Sequence, residues 1–327
     1  MINFEFTRVS SVKAAVDTLA KNPGGGFIAG GTNLVDLMKR GVMSPTRIID
    51  INTLPLKQVE ETKNGLTIGA LAINSDVSEH ELVKKNYPLL AMAFKAGASA
   101  QLRNMATVGG NMMQRTRCTY FYDTAMPCNK RQPGSGCGAL QGYNRMHAIF
   151  GASNKCIAVH PSDMCVALAA LNATVTVVGS KGQRNILFTD FHRLPGEQPE
   201  KDNTLAKGEL ITGVTIPANP FTKNVYYLKI RDRASYAFAL ISVAAALDMS
   251  GDTIKSARLA MGGVSHKPWR LTEAEKFLAG KPATNESFLR AAEIGMKGAK
   301  GYGYNNFKLK MGAAGIVEGL TKAIQNV

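Results

Sequence analysis

No apolar run in this chain reaches the length of a bilayer, so no membrane-spanning helix is expected. Its first residues, Met1-Ile2-Asn3-Phe4-Glu5-Phe6, have neither a basic n-region nor an apolar h-region. No signal peptide is expected there, and synthesis in the cytoplasm follows. A periplasmic destination would then need co-export with a signal-bearing partner. Also missing are a G-x-G-x-x-G fingerprint, a Walker loop and a G-x-S-x-G elbow, which argues against a Rossmann domain, a P-loop and a serine hydrolase. There is no internal repeat and no low-complexity tract. Acidic residues are scarce, 24 against 39 Lys and Arg, for a formal charge of +15. The positive charges are scattered apart from Arg115, Arg117 and Lys130-Arg131, with no helix-turn-helix, basic zipper or RNA-recognition signature. An acidic partner subunit or an anionic cofactor suits that charge as well as nucleic acid does.

With 327 residues, 45% of them hydrophobic, the chain can bury a sizeable core and divide into two or three domains. It is organised around Phe27-Ile28-Ala29-Gly30-Gly31-Thr32-Asn33-Leu34. A short buried strand runs into two glycines, then into a helix with Thr32 or Asn33 at its cap and Leu34, Leu37 and Met38 on one face. A strand, a glycine turn and a helix start together present free N–H groups to an anion such as a phosphate. Thr107-Val108-Gly109-Gly110-Asn111 repeats this chemistry, and two such turns would grip one dinucleotide from opposite sides.

The strand at Arg47–Ile51 closes a small first lobe. A second lobe opens at Leu66–Leu71 and continues through helical patterns at Val77–Val83, Leu89–Phe94 and Ser162–Leu171. Strands follow at Ala173–Val178 and Glu209–Ile216. After a break at Pro217–Lys223, strands at Val225–Ile230, Ala239–Leu247 and Ile254–Met261 read as an antiparallel meander. Helices at Thr272–Leu278, Glu286–Met296 and Gly312–Ile324 would cover one of its faces.

Between Asn111 and Lys155 the periodicity vanishes. Four of the five cysteines, Cys118, Cys128, Cys137 and Cys156, bracket this stretch, while Cys165 sits in an apolar helical run and reads as core. A loop of this length needs a staple. Zinc, an iron–sulfur cluster and unligated thiols all remain open, although close Cys-x-x-Cys pairs are absent. Arg115, Arg117, Lys130 and Arg131 would offset the charge of a thiolate-ligated cluster. Tyr120-Phe121-Tyr122 reads as packing or as a shield beside Cys118. The five histidines show no metal spacing and read as structural or surface residues.

The stretches AGGTNLVDLMK, QLRNMATVGGN, HPSD at 160–163, LKIRDRASYAFALISVAAAL from Leu228 and RLAMGGVSHKPWR from Arg258 come in one order over most of the chain. In them the chain resembles the FAD-binding medium subunit of the xanthine dehydrogenase family of molybdenum hydroxylases. The segment RTRCTYFYD…PCNKRQPGSGCG looks most like the flavin and [4Fe-4S] subunits of periplasmic aldehyde oxidoreductases. The resemblance implies an α+β fold: a two-lobed FAD-binding domain of the PCMH/vanillyl-alcohol-oxidase type, then a C-terminal αβ domain. The divisions are 1–55, 56–220 with a Cys-rich insert at 112–156, and 221–327. It implies FAD contacts from Phe27 to Leu34 and from Thr107, Gly110, Asn111, Asp163, Ile211 and Lys229. Asp163 would double as a helix cap, Lys229 would approach the flavin ring, and Ile211 would pack near it. A [4Fe-4S] cluster would sit on Cys118, Cys128, Cys137 and Cys156. No residue is implied as a general acid or base.

The implied function is electron transfer in a heterotrimer with a [2Fe-2S] small subunit and a molybdenum-cofactor large subunit. A free-standing flavin oxidase and a basic zinc- or nucleic-acid-binding module are the other classes.

Overall fold

The computed structural model describes residues 1–326. Strands β1 (Glu5–Arg8), β2 (Gly25–Ile28) and β3 (Arg47–Asp50) form a parallel sheet in the order β1-β3-β2. Central β3 carries the fully buried pair Ile48 and Ile49. The helix Val12–Lys21 starts where Ser11 Oγ accepts from the Ala14 amide, and it tucks Ala15 and Val16 into this lobe's core.

The second unit is an antiparallel sheet of β4 (Val59–Thr62), β5 (Gly65–Gly69), β6 (Thr174–Gly179), β7 (Gly182–Leu187) and β8 (Leu210–Ile216). Its order is β4-β5-β8-β6-β7. The helices Pro88–Ala96 and Asp163–Ala170 pack beside each other within its core. Between β5 and β6 lie the second glycine turn and the whole cysteine insert.

The third unit contains β9 (Val225–Ile230), β10 (Ile241–Ser250), β11 (Thr253–Gly262) and β12 (Trp269–Arg270), an antiparallel sheet in the order β12-β11-β10-β9. β10 is apolar almost throughout because both of its faces are covered. Val243, Ala245 and Leu247 meet the helices Thr272–Leu278, Asn285–Gly295 and Phe307–Gln325. Ala244 and Ala246 turn the other way, into the core shared with Pro88–Ala96 and Asp163–Ala170. Small side chains on that face let the second unit approach closely, which brings Asp163 to Lys229 on β9.

Three departures from the sequence reading have physical causes. The helical pattern at 77–83 is two short helices, Asn74–Glu79 and Glu81–Asn86, broken where His80 takes an extended conformation. β4 and β7 show mostly half-exposed or exposed side chains, so they lack the apolar alternation that announces a strand. The last helix starts at Phe307, five residues before the reading from Gly312. Lys308 lies inside the apolar stripe, fully buried, with its ammonium donating to the carbonyls of His147 and Gly263 at 3.0 and 2.8 Å.

Candidate functional site

The two glycine turns touch. A Cβ on Gly30 would lie 1.8 Å from the Met105 carbonyl oxygen, so only glycine lets the first turn lie against the chain leading into the second. Gly31 takes φ +70°, and the helix Leu34–Lys39 follows. Asn33 stands at the cap position without a side-chain capping bond. Its Oδ1 instead accepts from the Arg115 amide at 2.8 Å, tying this turn to the start of the cysteine insert.

Thr32, Asn33, Gly110, Asn111, Asp163 and Lys229 line one cleft of about 180 Å3. It adjoins a second cavity of about 300 Å3 across Arg117, Pro161–Asp163 and Phe238. The turns differ in what they offer. Among the described residues, the amides from Gly30 to Leu34 donate to no main-chain carbonyl or side chain. In the second turn those from Val108 to Asn111 are taken: Val108 N by Ala72 O, Gly109 N by Ala70 O, Asn111 N by Thr107 O, and Gly110 N by Thr107 Oγ1 at 3.2 Å. The expectation that both turns present free amides is corrected: the first supplies donors, and the second supplies the opposite wall. Asn111 Oδ1 accepts from Ser162 Oγ at 2.8 Å, which fixes that wall to the helix Asp163–Ala170.

Asp163 does not cap that helix. Ser162 does, its Oγ accepting from the Cys165 amide. Asp163 instead pairs with Lys229 at 2.7 Å, both side chains 5% exposed, and accepts from Tyr227 Oη at 2.9 Å. The Lys229 ammonium also donates to Ala96 O at 2.9 Å. Burial, and then the Asp163 charge, push the Tyr227 phenol well above its usual range, so it stays a donor. Tyr227 was not foreseen, because a tyrosine within an apolar strand carries no polar signal. Ile211 lies elsewhere: it pairs with Val177 in the sheet of β6 and β8, packs in the core, and does not line the cleft.

Cys118, Cys128, Cys137 and Cys156, all free thiols, line one closed pocket with Tyr120, Phe121 and Lys130. Beyond the short helix Thr119–Tyr122 the loop is ordered by isolated bridges and by the Asn129 side chain. Cys128 and Cys137 meet in a single antiparallel bridge. Asn129 Oδ1 accepts from the Gly134 and Gly136 amides, while its Nδ2 donates to Lys155 O beside Cys156. Burial pushes the Cys118 thiol up to about 12. A hydrogen bond from Cys156 lowers Cys137 to about 6, and Cys156 is raised correspondingly. The nearby cations are less free than the sequence implied. Arg115 and Lys130 both pair with Asp202, at 2.6 and 2.5 Å. Burial alone would raise that carboxyl, but the two cations hold it at about 2.

Comparison with known families settles the assignment. Residues 2–219 match the family model described as the FAD binding domain in molybdopterin dehydrogenase, and 226–299 match the CO dehydrogenase flavoprotein C-terminal domain. The chain belongs to the FAD-binding medium subunits of the molybdenum hydroxylase family. It is 51% identical over 278 residues to the aldehyde oxidoreductase FAD-binding subunit PaoB of Escherichia coli K12, covering 84% of this chain and 86% of that one. It is 32% identical over 284 residues to the glyceraldehyde dehydrogenase medium chain of Sulfolobus acidocaldarius, covering 86% and 83%. Its fold matches that of the reconstituted CO dehydrogenase from Oligotropha carboxidovorans over the whole of both chains, with TM-score 0.79 at 20% identity.

The cleft of this medium subunit suits the cofactor of its family. Buried Asn33 Nδ2, a donor, and Asn74 Oδ1, an acceptor, have no protein partner, and both residues line the cleft. A dinucleotide, with anionic oxygens and polar hydrogens on one molecule, satisfies both kinds of orphan. Four of the medium subunit's histidines, His147, His160, His192 and His266, are buried. His160 and His192 bring their rings within 4.2 Å of each other, close to Cys165. His192 Nε2 lies 2.9 Å from Met112 O, so its ring donates to that carbonyl. His147 reaches the cysteine pocket, with Nε2 at 3.1 Å from Cys118 Sγ. Nothing in its spacing from Cys118 announced that contact, which the fold makes across 29 positions.

Proposed function

We propose that this medium subunit is the electron-transfer flavoprotein of an aldehyde-oxidising molybdenum enzyme, carrying a [4Fe-4S] cluster beside its FAD. In this reading it assembles as a heterotrimer, receives electrons from a small subunit with [2Fe-2S] clusters, and passes them to a terminal acceptor. Substrate oxidation belongs to the molybdenum-bearing large subunit. The free amides from Gly30 to Leu34 hold the diphosphate, Asn33 and Asn111 face it from opposite walls, and Lys229 with Asp163 adjoins the remaining length of the cofactor. FAD supplies exchange between one- and two-electron carriers. The protein's part is to bind, orient and exclude water, consistent with a site holding an ion pair rather than an acid–base dyad.

What supports the cluster is the donor set, since all four cysteines line one pocket as free thiols. Four thiolates are the donor set that an iron–sulfur cluster takes. The raised thiols must lose protons on loading, so incorporation releases protons and weakens as pH falls. Replacing Cys128 by alanine is expected to remove iron from the purified complex. Cys165→Ala, in the buried helix, is expected to leave iron at the wild-type level. Metal analysis checks both, and undiminished iron in the Cys128 variant would contradict the assignment.

A further inference from the structure

His147 is held from both ends. Its amide donates to Asn144 O at 3.0 Å, and its carbonyl accepts from Lys308 Nζ at 3.0 Å and from Asn305 Nδ2 at 3.3 Å. Lys308 and Asn305 are fully buried, so the C-terminal domain clamps this point of the cysteine insert. The ring lies against Tyr120, centroids 6.3 Å apart, and its Nε2 faces Cys118 Sγ at 3.1 Å. Its Nδ1 is buried with no partner.

A ligating thiolate has lone pairs and no proton to give. The tautomer with hydrogen on Nε2 therefore makes a hydrogen bond, whereas the other would set two lone pairs against each other.

We propose that His147 donates its Nε2–H to Cys118 Sγ and thereby raises the reduction potential of the iron–sulfur centre. The inference rests on the cluster assignment above. Adding one electron increases negative charge on the ligating sulfurs. A donor fixed at one of them stabilises the reduced form more than the oxidised form. His147 is a positioning residue that acts through Cys118, and it transfers no proton.

The test uses the assembled complex with His147→Phe, which keeps a flat ring without a donor, and His147→Gln, which restores a side-chain N–H. The readout is a redox titration of the cluster followed by EPR. His147→Phe is expected to lower the reduced-to-oxidised ratio at fixed poise about tenfold, a fall of ~59 mV for one electron. His147→Gln should return most of that shift. Full iron in the Phe variant with an unshifted midpoint would overturn the role of His147 and leave the cluster assignment standing. Absence of iron and labile sulfide from the wild type would instead bring down the assignment itself. Should the Phe variant lose its cluster, pulsed EPR on wild-type protein labelled with 15N-histidine decides. A histidine nitrogen coupled to the reduced centre supports the hydrogen bond, and none overturns it.

Discussion

Asp163→Ala is expected to cost ~3–5 kcal/mol of folding stability, the usual penalty for leaving a buried charge without its partner. The Lys229 ammonium would retain the Ala96 carbonyl as acceptor but no anion, at a site where both side chains are 5% exposed. Tyr227 would lose one acceptor and keep Ser242 Oγ at 3.0 Å. The double change Asp163→Leu with Lys229→Met removes both charges and should regain most of that stability, because packed apolar groups replace buried pairs at little cost. It should not regain flavin affinity if the pair serves the cofactor. Urea unfolding of the apoprotein and flavin titration separate the two effects. A single variant within about 1 kcal/mol of wild type would show that water reaches the pair.

Gly30→Ala should force the two turns of the cleft apart. The added Cβ would lie 1.8 Å from Met105 O and 2.7 Å from its carbonyl carbon, and both obstacles are backbone. No rotamer relieves that contact, so one turn must move away from the other. Gly31→Ala is milder. Its positive φ carries strain of about 1–2 kcal/mol, and its Cβ would meet the movable side-chain end of Val35 at 3.2 Å. The expected result is about a hundredfold weaker flavin binding for Gly30→Ala, ~2.7 kcal/mol, and a much smaller loss for Gly31→Ala. Fluorescence titration of the apoprotein with FAD measures both, and equal affinities for the two variants would contradict the close approach of the turns.

What the sequence disclosed follows from where the physics is local. Strand, paired glycines and amphipathic helix lie within thirteen consecutive residues from Phe27 to Lys39, so backbone freedom and periodicity were legible there. β10 was legible because burial on both faces leaves a long apolar run, and β9 and β11 because buried residues alternate with more exposed ones along part of each strand. Non-local choices were hidden. Spacing alone could not tell that Cys118 and Cys156 line one pocket, since the loop between them has no periodicity and its fold depends on Asn129 bonding across it. A Lys229–Asp163 pair joins residues 66 positions apart. Ile211 shows a related limit: an apolar residue in a strand suits a ring-contacting position and a core position equally, and the pairing with Val177 puts it in the core. The free amides of the first turn and the engaged amides of the second have the same glycine signature. The acceptors that distinguish them, Ala70 and Ala72, lie on another stretch of chain.

Two cofactors on one chain, FAD along the glycine cleft and a cluster in the thiol pocket, make up the central claim. Quantitation of flavin, iron and acid-labile sulfide on the same purified sample tests it most directly. The account predicts about four iron and about four sulfide per FAD, with no stoichiometric zinc. Flavin at full occupancy with neither iron nor sulfide, or with about one zinc in their place, would contradict it.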